Sequence, residues 1–153
     1  MPTLELSRMS RTADELSAAL RGQPESALAK RPAENAWAAK EIVCHLRDTE
    51  EVFQNRFRTI LAEDDPKFTP LNIDGLAVER QYLKDDAARS LETFRARRQA
   101  TLTLLASVAP AQMERGGVHP TRGRMTIKDF VTLMASHDDT HLEQIKRSLS
   151  GQP

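Results

Sequence analysis

Apolar residues recur three and four positions apart in four separate stretches of this chain, a spacing that matches the 3.6-residue turn of a helix. In residues 4–21, Leu6, Met9, Ala13, Leu16 and Leu20 are spaced 3, 4, 3 and 4, and Gly22 follows as a stop. Pro24 and Pro32 keep the next connection non-helical. A second stripe, Ile42, Leu46, Thr49, Phe53, Phe57 and Ile60, predicts a helix from about Trp37 to Glu63, with Asn35 as its N-cap. Residues 64–78 carry two prolines and a glycine and read as a long connection with room for a short helical turn.

Leu91, Phe94, Leu102, Leu105 and Val108 predict a third helix within 79–108, clearest from Ala87 onward. MERGGVHPTRGRM reads as a loop. The fourth helix starts near Thr126, with Asp129 in a capping-box position, and Gly151 ends it. Its stripe is Ile127, Phe130, Val131, Met134, Ile145 and Leu149. No internal repeat and no strand-like alternation is visible, so the expectation is an all-α four-helix bundle forming a single domain over 1–153.

Charge and cysteine content narrow the function. Lys plus Arg and Asp plus Glu are both 22, a zero net charge that argues against nucleic acid or an anionic membrane as partner. No run approaches the ~20 apolar residues of a transmembrane helix, and the start lacks the order of a signal peptide. With one cysteine, Cys44, no internal disulfide can form. A cytoplasmic protein is expected.

Three of the four histidines stand where a plain bundle would carry Leu or Ile. His137 and His141 are one helical turn apart, and on a wheel of ~100° per residue they share the stripe of Met134 and Ile145. His45 flanks the stripe of the second helix. It lies about eight residues from that helix's start, ~12 Å, and His141 lies a similar distance from the end of the fourth. If helices two and four are antiparallel, the three rings share one level, and residues 64–78 can serve as the crossover that allows it. On pattern alone the three are either packed core histidines or metal ligands, since an HxxxH pair fixes only two of the ~3–4 protein ligands a site needs.

WAAKEIVCHLRDTE followed by GRMTIKDFVTLMASHDDTHLEQI resembles the DinB-like, or YfiT-like, family of metal-dependent enzymes, and the likeness covers nearly the whole chain. The resemblance implies an up-down-down-up four-helix bundle with a long crossover between helices two and three. It implies a divalent metal held by His45 of the HLxD segment and by His137 and His141 of HDxxH. One departure is Ala38, where the family commonly has a Ser or Thr cap.

Three protein ligands leave a coordination position open, which suits catalysis more than structure. The nitrogen donor set fits zinc, nickel, copper, cobalt or iron, with zinc or nickel expected. The resemblance implies a hydrolase or a thiol S-transferase acting on a small molecule, with a low-molecular-weight thiol as a cosubstrate, in a homodimer. The alternatives are a non-catalytic metal-binding bundle and a stress-related dimer in which the histidines only pack. Asp48 and Asp138 read most simply as solvated carboxylates, and otherwise as groups that orient a ligand or act as a base. Cys44 points away from the stripe and reads as an ordinary packed thiol. His119 reads as a solvated loop residue or one bordering the cavity. Trp37 reads as packing at the bundle end, and Arg95, Arg97 and Arg98 as a solvated face.

Overall fold

The computed structural model describes residues 3–153. It is mostly helical: α1 (Thr3–Leu20), α2 (Glu25–Leu28), α3 (Ala39–Ala62), α4 (Ile73–Glu79), α5 (Ala87–Ala106) and α6 (Ile127–Leu149). The four long helices are those expected from the stripes. A two-stranded antiparallel hairpin, β1 (Gly116–His119) and β2 (Gly123–Thr126), stands where a loop was expected, so the chain is not purely α. Four-residue strands are too short to show an alternation, and two of the four β1 residues are glycines. Gly117 lies so close to the 66–68 segment that a Cβ there would meet the Phe68 ring at 2.5 Å. That approach lets Val118 exchange backbone bonds with Pro66 and Phe68 at 2.7 and 3.0 Å.

The helix starts follow local chemistry. Thr126 and Asp129 form the expected capping box on α6, with bonds of 3.0 and 2.9 Å. Asp86 caps α5 and Asn72 caps α4, a helix of seven residues at the end of the long connection. The expected cap Asn35 and start near Trp37 are both corrected: α3 begins at Ala39 and its N-cap is Ala38. Alanine has no oxygen to offer the helix. Instead Glu41 accepts the Ala38 N–H at 3.0 Å, and Arg31 grips both Glu41 oxygens at 2.7 Å. The one-turn helix α2 lies in the segment expected to be non-helical. Its first residue, Glu25, pairs with the buried Lys40 of α3.

Two large apolar clusters form most of the core, beside a small one of Cys44, Ala77 and Tyr82. One holds Met9, Phe57, Ile60, Leu105, Phe130 and Met134. The other holds Leu16, Ile42, Leu46, Phe94, Leu142 and Ile145. Between α3 and α6, Ser148 Oγ donates to the carbonyl of Trp37, just ahead of α3, His45 meets His141, and Phe57 meets Phe130. Between α3 and α5, Cys44 meets Ser90, Glu50 meets Arg98, and Gln54 meets Thr101. No helix among the described residues is long and apolar enough to cross a membrane.

Candidate metal centre

His45 stands in the second turn of α3, and His137 and His141 on consecutive turns of α6. Their Nε2 atoms converge, with separations of 3.2 Å for His45–His137, 3.1 Å for His45–His141 and 3.1 Å for His137–His141. Ligands at tetrahedral corners ~2.0–2.1 Å from one ion stand about 3.3 Å apart, so the trio has the dimensions of a metal-binding face. Among the described residues it is the group of three or more His, Cys, Asp or Glu whose donor atoms lie close enough to share an ion.

The second nitrogens bear on the fit. His141 Nδ1 lies 2.8 Å from Gln144 Oε1, an acceptor, so the Nδ1 proton goes to Gln144 and the Nε2 lone pair faces the cluster. Trp37 packs on His45 at 5.1 Å between ring centroids, and Phe53 meets His137 edge-on at 5.9 Å, which limits ring rotation on both sides.

Burial keeps the imidazoles neutral. His45 is pushed down to about 3 by desolvation and then by His141 and His137, against a smaller opposing pull from Asp48. Desolvation and His141 lower His137 to about 4. His141 is lowered by burial, with Gln144 and Asp138 working the other way. Neutral nitrogens converging on one point are what a cation requires of its ligands.

Charged residues support the cluster from below, and here the solvated-face reading fails for Arg98. Its side chain is buried and bonds both oxygens of Glu50 at 2.9 Å and both of Asp138 at 2.6 and 2.9 Å. The Met9 carbonyl takes a further bond at 2.9 Å, and Thr12 donates to Asp138 at 2.5 Å. Asp138, read as solvated, is therefore fully buried and turned to Arg98, so its backbone neighbour His137 follows a fixed α6 face. Asp48, also read as solvated, is buried too. Arg47 holds it at 2.8 and 3.1 Å and the Tyr82 hydroxyl at 2.6 Å. Burial works against its charge, yet the bonds from Arg47 and Tyr82 hold its carboxyl below the ordinary range.

The signal for Arg98 was present in the spacing. Leu91, Phe94, Arg98, Thr101 and Leu105 are 3, 4, 3 and 4 apart, with the arginine in a core position. Asp138 likewise falls in the run Val131, Met134, Asp138, Leu142, Ile145. A charge on each of two inward stripes points to a buried pair. Arg95 does lie on the surface, bonded to Asp14, and half-buried Arg97 bonds Glu51.

Cys44 is the packed thiol expected. It is buried beside Ser90 and Tyr82, away from the histidines, and burial raises its pKa to about 11. His119, on the hairpin, borders a cavity of about 370 Å³ that His137 also lines. Its Nδ1 accepts the backbone N–H groups of Thr121 and Arg122 at 3.1 and 3.2 Å. The cavity therefore runs from the hairpin to the histidine cluster.

A family model described as the DinB superfamily matches residues 8–145. Among solved structures, the fold is similar to one described as YfiT from Bacillus subtilis, a probable metal-dependent hydrolase with an unusual four-helix bundle topology. The TM-score is 0.90 at 21% identity, over 99% of this chain and 88% of that one. None of the curated proteins searched matches.

Proposed function

The chain belongs to the DinB superfamily, and on that premise we propose that His45, His137 and His141 bind one divalent ion, zinc or nickel, in a metal-dependent hydrolase or thiol S-transferase. The observation that carries the reading is the convergence of three Nε2 atoms within 3.1–3.2 Å of one another. A divalent ion held there supplies Lewis acidity and lowers the pKa of a bound water or thiol. The protein's own contribution is positional. Gln144 fixes the His141 tautomer, Trp37 and Phe53 hold the outer rings, and the cavity beside His137 admits a small molecule.

The reading extends to the whole chain as one DinB-like domain with up-down-down-up topology. Contacts that advance along α3 while retreating along α6 support antiparallel packing of that pair. Contacts that advance along both α3 and α5 support parallel packing, with residues 63–86 as the crossover. The zero net charge supports a small substrate rather than a nucleic acid, and the single buried Cys44 supports a cytoplasmic setting. A homodimer is proposed from the prevalence of twofold assemblies.

The test is elemental analysis of untagged protein, followed by melts of wild type and His141→Ala with chelator and with zinc or nickel. At a hundredfold excess over Kd, metal stabilises the wild type by about 2.7 kcal/mol. The variant gains much less. Equal and negligible gains in both would return the three histidines to a packing role. A panel of thiols and electrophiles then separates turnover from metal storage.

A further inference from the structure

The cavity beside His137 has an uneven charge. Arg56, Arg122 and His119 line it together with apolar Phe53 and Leu133, and no carboxylate does. In a chain with as many acids as bases, that wall is basic against the balance of the whole. Most other arginines facing neighbours are neutralised: Arg8, Arg31, Arg47, Arg80, Arg97 and Arg98 all bond carboxylates. Arg56 and Arg122 bond none among the described residues.

Arg56 is half-buried on α3, its guanidinium 5.2 Å from the centre of the Phe68 ring, with one long bond of 3.5 Å to the Thr69 carbonyl. Burial lowers its pKa, and among the described residues no carboxylate offsets that burial. His119 is lowered first by burial and then by Arg56 and Arg122, so the three groups share one field. The hairpin turn carries Arg122 and α3 carries Arg56, so two separate elements bring a guanidinium to the one cavity.

We propose that this cavity binds a small organic oxyanion, a carboxylate or phosphate ester, whose charged end sits between Arg56 and Arg122 and whose apolar body lies along Phe53 and Leu133 towards His137. Guanidinium forks pair with such groups through charge-assisted bonds, and the apolar wall excludes the water that would weaken them. The inference deepens the functional reading above by naming its ligand class and rests on that reading for the chemistry. Binding itself needs no metal.

Calorimetric titration of chelator-treated protein with 4-phenylbutyrate, phenyl phosphate and neutral 4-phenylbutyramide tests it. Both anions should bind at least tenfold more tightly than the amide, and whichever anion is tighter assigns the natural group as carboxylate or phosphate. Arg56→Gln and Arg122→Gln should each weaken the anions about tenfold and leave the amide unchanged. Arg58→Gln, exposed on the same helix outside the cavity, should do nothing. Arg122 is exposed on a turn, so its variant keeps the test sound if Arg56→Gln folds poorly. Equal affinities for acid and amide, no binding of either anion, or unchanged anion affinity in Arg122→Gln would overturn the proposal. Because chelated protein is used, a failed metal assignment does not produce any of these results.

Discussion

Arg98 sits in a core position of its stripe and joins Glu50 to Asp138, the neighbour of His137. A charged side chain in a run of apolar residues can be an exposed interruption or a buried anchor, and a one-dimensional pattern does not say which partner waits across the bundle. The partners here, Glu50 and Asp138, lie 48 and 40 residues away. His137 and His141 were legible because their spacing is local, and His45 because its height matched theirs. Arg98→Met deletes the cation and leaves two buried carboxylates facing each other. Breaking a buried pair from one side costs about 3–5 kcal/mol, more than the packing methionine restores. Urea denaturation should show a loss of that order. Arg98→Lys should fall between, since it keeps the charge and loses the fork. A loss near zero for the methionine variant would mean that the buried ion-pair network contributes no more than the packing methionine restores.

Among the elements, the long helices were legible, and of the short ones only α4 was anticipated, as a helical turn in the 64–78 connection. Eighteen or more residues repeat a stripe often enough to be counted, as α1, α3, α5 and α6 do. The single turn α2 and the four-residue strands repeat nothing. They are held by tertiary contacts, Lys40 to Glu25 and the Val118 bonds to the 66–68 segment. The hairpin matters because it carries His119 and Arg122 to the cavity and delivers the chain into the α6 cap. Thr126 is both the last residue of β2 and the N-cap of α6. Thr126→Ala removes the bond to the Asp129 N–H and should destabilise by about 1 kcal/mol, within a range of roughly 0.5–2. Denaturant titration measures it. Thr126→Ser, which keeps the hydroxyl, should recover most of the loss, and its failure to do so would assign the effect to the threonine methyl instead.

At the scale of the molecule, charge is balanced in sum and partitioned in space, with ion pairs under the histidines and an uncompensated basic wall over them. That partition predicts how the metal-free protein responds to acid. In the fold His45 and His137 accept protons only near 3 and 4, whereas in the unfolded chain a histidine titrates near ~6.5. Between those values the unfolded state binds more protons than the native state, so unfolding becomes easier as pH falls. Each histidine that stays neutral in the fold while its unfolded counterpart is charged contributes a slope of up to about 1.4 kcal/mol per pH unit. The loss should begin below about pH 6.5 and continue through pH 4, a region where Asp48, held down by Arg47 and Tyr82, adds only at the acid end. Chelated wild type should therefore lose stability steeply between pH 6.5 and 5, as followed by denaturant midpoints. His45→Gln and His137→Gln should each flatten that slope by about a third, because a group that cannot titrate carries no linkage and His141, also lowered by burial, keeps its share. A wild-type midpoint that stays level across this window would show that the three rings take up protons in the fold as readily as in the unfolded chain, and so are not held as the free lone pairs that a metal site requires.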